Sequence, residues 1–266
     1  MPPTLPLFSG SDGLFADSGV AEEGGECDAI EDPPVRLPWS RSIETPLPAA
    51  EIDELVQETF GQDLESRGFE QIDRRSWVRS GKAPIREEVG LGSLKGYSFM
   101  PGWSISLDFV PHVTKAGKVA WHRTAKQHRA DLGIDPADDP KRLQADRLAV
   151  RGMARRGDVR RSLQRSSALT AELSESWFSR INGLASLVPL FEEAERQPVV
   201  RFGFDNYVQH RLAFAFVLAR TGDLTRARAE LDRWCELHVS GPVRATDSLG
   251  SDLQWELKDL LDRAAG

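Results

Sequence analysis

Five histidines, His112, His122, His128, His210 and His238, are the side chains best suited to move a proton near neutral pH. No two stand four residues apart, the spacing at which one helix offers two imidazoles to a metal, and Cys27 and Cys235 do not fall among them. Asp108 and His112 share a strand face by parity, with Pro111 between them. A neighbouring strand could bring His122 to that pair, and the three would then suit acid–base or metal chemistry of a hydrolase that carries no motif. Asp131, Asp135, Asp138 and Asp139 offer oxygen ligands of the kind Ca²⁺ and Mg²⁺ take. Their spacing misses the EF-hand pattern, and a solvated loop is expected. Gly90-Leu-Gly-Ser-Leu-Lys-Gly96 has glycines spaced G-x-G-x-x-x-G, with no helix following to present its N-terminus to a phosphate. It reads as a bulged or flexible strand. No catalytic residue, metal ligand or cofactor is assigned.

Charge is unevenly placed. Residues 1–35 hold eight acids and no Lys or Arg. Residues 141–165 hold nine bases against Asp146 and Asp158. Within this basic segment Arg142, Arg151, Arg155, Arg161 and Arg165 could neutralise phosphates, which makes nucleic acid a possible partner. The segment has no aromatic for base stacking, and an acidic protein or the chain's own acidic tail fits it equally well. Tyr97, Phe99 and Trp103 bracket Pro101-Gly102 and are anchor candidates for a protein partner if exposed, because aromatics dominate interface hot spots.

The elements that would position these groups follow from periodicity. Ile52, Leu55, Val56, Phe60 and Leu64 mark one face of a helix over about 49–67, with Gly68 as its left-handed stop. Short extended pieces surround Trp77, and 85–94 continues extended. A turn is expected over 96–102, then a strand over 103–110 in which Trp103, Ile105, Leu107 and Phe109 alternate with polar residues. Lys115-Ala-Gly-Lys118 turns into Val119–Arg123. Strands joined by short turns make an antiparallel meander. Beyond Thr124 the pattern is helical. Asp139-Pro140 starts one helix, and a long one carries Leu169, Leu173, Trp177, Ile181, Leu184, Val188 and Phe191, with a kink or split expected at Pro189. Helices over about 205–220 and 224–238, joined at Thr221-Gly222-Asp223, suggest a tetratricopeptide-like hairpin, and a last helix spans about 251–263. The expected class is α+β: an N-terminal helix on an antiparallel meander, then a helical C-terminal portion. The expected divisions are a disordered acidic, Pro-rich tail over 1–48, an α+β domain over 49–125, an acidic linker loop over 126–138 and helices over 139–266.

The whole chain has 266 residues, is 40% hydrophobic with seven tryptophans, and has a net charge of −7. No apolar run reaches the roughly 18 residues a membrane helix needs, and the start lacks a signal-peptide pattern. Two distant cysteines argue against a disulfide framework, so a cytoplasmic location is expected. The stretch from Glu54 to Val113, through Leu64-Glu-Ser-Arg-Gly-Phe69, Trp77-Val-Arg79 and Trp103-Ser-Ile-Ser-Leu-Asp-Phe109, resembles the bacterial family called domain of unknown function 4304. That resemblance implies a protein from a toxin-immunity neighbourhood, a binding protein rather than an enzyme. The expected function is non-enzymatic protein binding of an immunity-like kind. The alternatives are a nucleic-acid accessory role for 141–165 and the hydrolase above.

Overall fold

The computed structural model describes residues 47–80, 83–94, 98–114, 116–134, 147–150, 154–196, 210–239 and 249–266. The acidic tail, Tyr97, Arg142, Arg151, Asp135, Asp138 and the Asp139-Pro140 helix start lie outside them. The architecture is α+β, with a five-stranded antiparallel sheet and helices.

The first helical face is the one the spacing predicts: Ile52, Leu55, Val56, Phe60 and Leu64 are all buried. They lie on α1 (Ala49–Val56) and α2 (Gln62–Ser66), which a π turn at Gln57–Gly61 joins. A Cβ on Gly61 would stand 2.5 Å from the Gln57 side chain, so the widened turn occupies the space that glycine leaves. Gly68 ends the helix at φ +84°. Its N–H donates to the Glu65 carbonyl and the Phe69 N–H to the Leu64 carbonyl, each at 3.0 Å. That pair of bonds satisfies carbonyls the helix end would leave open and folds Phe69 into the core.

The sheet runs β1 (Glu70–Asp73), β2 (Ser76–Ser80), β3 (Ile85–Leu94), β4 (Ser98–Leu107) and then β7 (Leu132–Ile134), every pair antiparallel. Between β4 and β7 the chain makes a separate two-stranded ribbon, β5 (Pro111–Val113) with β6 (Val119–Trp121). Alternation holds: Trp103, Ile105 and Leu107 are buried with Phe60, Leu64 and the helices in one continuous apolar cluster.

Several boundaries differ from expectation. The strand over 103–110 begins at Ser98 and ends at Leu107, and Pro101-Gly102 lies inside it rather than in a turn. The ladder tolerates Pro101 for a geometric reason. Residues 99, 101, 103 and 105 aim their N–H groups at the β7 side, where Phe99 bonds Val150 and Trp103 faces Ile134. Pro101 falls between those pairings, so its missing donor leaves no ladder bond unmade. Part of the expected linker loop, Leu132–Ile134, is a strand. Gly133 allows it, since a Cβ there would come within 2.9 Å of Ser104 Cβ.

The expected long helix is two. α3 (Arg156–Phe178) stops before Ser179, the chain turns through Gly183 at φ +143°, and α4 (Leu187–Arg196) follows. Pro189 does not make the break. It is the third residue of α4, in the first turn, where N–H groups lack helical acceptors anyway. The next helix, α5 (His210–Arg220), is buried over every residue from Arg211 to Ala219. A helix apolar around its girth must be surrounded, and α4, α6 (Leu224–His238) and α7 (Leu249–Ala265) pack against it or one another. Asp223 caps α6, its Oδ1 accepting from the Arg226 N–H at 3.1 Å, after the turn at Gly222, φ +93°. The buried Arg211 pairs with Glu195 of α4 and Glu230 of α6 and so ties three helices. Arg79 ties the sheet to the helices. It bonds Glu87 at 2.6 Å and grips Glu175 of α3 with both terminal nitrogens, at 2.8 and 3.1 Å, while lying over the Phe69 ring. Burial opposes its charge, but the bonds to Glu175 and Glu87 outweigh burial and raise its pKa.

Candidate functional site

Polar chemistry gathers on the sheet face opposite Trp103, Ile105 and Leu107. Arg86 and Glu88 of β3 stand across from Ser106 and Ser104 of β4, so parity puts all four on this face. Arg86 is buried, and its Nη2 donates to the Asp108 carboxylate and to the backbone carbonyl of His122. Ser104 Oγ donates to Glu88 Oε2 at 2.8 Å, and the same carboxylate oxygen faces His128 Nε2. The rings of His112 and His122 meet edge to face, centroids 5.0 Å apart. The β5–β6 ribbon and the chain after it therefore do bring Asp108, His112 and His122 together, although these residues lie on different segments.

Asp131, expected on a solvated loop, is buried. Its N–H donates to the Ile105 carbonyl at 2.8 Å, and its carboxyl accepts from the Leu107 N–H at 2.6 Å, continuing the ladder with a side chain where β7 stops. Burial pushes this carboxyl up to about 8; the Leu107 N–H, Arg129 and Arg86 pull the other way. His122 is shifted down, first by burial and then by Arg129, His128 and Arg86, against a hydrogen bond from its ring to the Gln127 backbone. Its imidazole is therefore neutral at pH 7.

Asp108 does not orient the His122 ring. Arg86 holds the Asp108 carboxylate, while the His122 ring bonds the Gln127 backbone. A relay needs the base oriented by the carboxylate itself. Ser106 Oγ and His122 Nε2 are buried with no hydrogen-bond partner among the described residues. Also among the described residues, no three His, Cys, Asp or Glu side chains are placed to hold a metal ion. Cys235 is buried, and burial first of all pushes its thiol up to about 11, far from a reactive thiolate.

The sequence-derived partner residues are placed as follows. Phe99 and Trp103 are core side chains, 6% and 5% exposed, which removes them as surface anchors. Phe99 also lies under the Arg75 guanidinium, 4.0 Å from the ring centroid. Strand alternation buries both, because Pro101-Gly102 lies inside β4 and makes no turn that would expose them. In the basic segment, Arg155 precedes the first turn of α3, Arg161 pairs with Asp158, and Arg165 Nη2 reaches the Ala149 carbonyl at 3.5 Å. Arg156 faces Glu51 and Glu54 at 3.6 Å and Glu58 at 3.4 Å, and Arg160 also bonds Glu58. Acids of the first helix thus neutralise part of the positive face that was expected to meet a phosphate or the acidic tail.

Trp255 of α7 was not singled out from the sequence. It is 72% exposed, the most exposed large apolar side chain among the described residues, with Leu237 of α6 next at 48%. The ion pairs Arg228–Asp262 and Lys258–Asp232 fix α6 and α7 as antiparallel. On its own helix Asp252 stands three residues before Trp255, and Lys258, three residues after, holds its Nζ 6.0 Å from the indole centroid. Leu253, Leu257 and Leu261 of α7 face inward, so a tryptophan between them is off the apolar stripe, and that offset is the signal the sequence held. No helix of the described residues is long and apolar enough to cross a membrane. The chain matches no family model, no curated protein and no solved structure.

Proposed function

We propose that this chain is a non-enzymatic, cytoplasmic protein-binding protein whose partner seats on Trp255 of α7. One observation carries the reading: a 72% exposed indole stands on a well-packed helix, off the stripe that faces the core. A large rigid side chain on an ordered helix is ready to bury area without an ordering cost, and Trp is enriched among interface hot spots. Asp252 on the same helix face favours a partner presenting Lys or Arg beside an apolar pocket, since the Lys258 ammonium over the indole is already paired with Asp232. The resemblance to the domain of unknown function 4304 family supports an immunity-like role, in which the partner would be a toxin.

The test is affinity capture from the native cell with wild-type chain and Trp255→Ala, followed by titration of the purified partner. A single basic protein retained by the wild type and lost by the variant, with affinity falling as salt rises, is the expected result. Equal capture by both chains, or an acidic partner indifferent to salt, overturns the reading.

A further inference from the structure

The excursion between β4 and β7 is held down in an unusual way. From Val119 to Ala130 no described apolar side chain is fully buried, so this stretch gains little from the hydrophobic effect. Val119 packs partly on the core and β6 is laddered to β5, but the attachments to the face of the sheet are polar. Arg86 donates to the His122 carbonyl, His128 abuts Glu88, and the His122 ring rests against His112. The interface is also incompletely satisfied, since Ser106 Oγ, His122 Nε2, His128 Nδ1 and Arg86 Nε are buried without a partner among the described residues. Partly satisfied polar networks hold weakly.

We propose that Val119–Ala130 is an acid-released strap: it lies on the polar face of the sheet at neutral pH and lifts when His122 takes up a proton. The groups facing His122 give the direction. Arg86 of β3, His128 and Arg129 surround it with positive or proton-binding groups, and His112 of β5 adds a second imidazole. The acids within the cluster offer it no spare charge: Asp108 is engaged by Arg86, Glu88 by Ser104 and His128, and the buried Asp131 keeps its own proton while accepting from the Leu107 N–H. A proton on His122 therefore meets repulsion and no free counter-ion. His128, by contrast, lies against the Glu88 carboxylate. That pairing makes His122, not His128, the gate. In the lifted strap His122 is solvated and titrates at its ordinary value, about 6.5. A docked state that resists the proton then loses up to about tenfold in population against the lifted one between pH 7.5 and pH 5.5.

Hydrogen exchange on the full-length chain reads this directly. Peptides covering 119–130 should lose severalfold, up to about tenfold, in protection from pH 7.5 to pH 5.5, after correction for intrinsic exchange rates, while peptides from β3 and β4 keep theirs. His122→Gln, neutral at every pH, should abolish the loss; His122→Asn serves if the glutamine chain does not fold. His128→Gln should preserve it. Protection independent of pH in the wild type, or an undiminished loss in the His122 variant, or a loss abolished only by His128→Gln, overturns the proposal. A wild-type loss shared equally by β3 and β4 also overturns it, since that is global unfolding.

Discussion

Asp131→Asn isolates the cost of keeping a carboxyl buried under the end of β7. In the folded chain this group is raised from its ordinary 3.8 to about 8, chiefly by burial. Between those values the native state holds a proton that the unfolded chain has released. Stability from this group is thus fully present below about pH 4 and is lost as pH rises through about 8. The gap of about four pH units, at 1.36 kcal/mol each, sets a ceiling on the order of 5 kcal/mol, which relaxation and entering water will reduce. Asparagine keeps an oxygen for the Leu107 N–H, now 2.6 Å from the carboxyl, and never ionises. Other titrations are common to both chains and cancel. Urea unfolding from pH 4.5 to 9 should therefore show the variant within about 1 kcal/mol of wild type at the acid end and more stable by at least about 2 kcal/mol at pH 9. Parallel stability curves over that range would falsify the claim that Asp131 is proton-loaded by burial. A variant less stable at every pH would show that the carboxylate itself is needed.

Gly68→Ala should cost about 1 kcal/mol in urea unfolding, because φ is +84° and a Cβ meets its own carbonyl there; a neutral result would mean the helix end shifts instead. Arg79→Met should cost roughly 2–3 kcal/mol, since it strands Glu87 and Glu175 beside the Phe69 and Phe178 rings, and Arg79→Lys should recover only part of that. Pro189→Ala should leave unfolding within about 1 kcal/mol of wild type and the helix content by circular dichroism unchanged, because the break lies at 179–183. Trp255→Ala should change stability by no more than about 0.5 kcal/mol while weakening partner binding by about 2 kcal/mol, roughly thirtyfold; a large stability loss would place the indole in the core.

The amino-acid pattern by itself determined much of the scaffold. The spacing of Ile52, Leu55, Val56, Phe60 and Leu64 dictated a buried helix face, Gly68 its stop, and Asp223 the cap of α6. The alternation of Trp103, Ile105 and Leu107 dictated which strand side the helices cover. These signals are legible because each arises within one turn or one strand, where spacing alone decides which side chains share a face. Other features depend on residues far apart in the chain. Three residues at 132–134 carry too little periodicity to read as a strand; they become one because β4 offers an open edge. Asp131 looked like one more solvated acid, and only the end of that ladder made it a buried partner of Leu107. Arg156 and Arg160 read as free positive charge until the fold set Glu51, Glu54 and Glu58 against them. Asp108, His112, His122, Arg86 and Glu88 form one polar layer only after the chain returns from β5 and β6. Local pattern fixes which face a side chain takes, but burial, charge pairing and proton affinity are set by what arrives on that face from elsewhere in the fold.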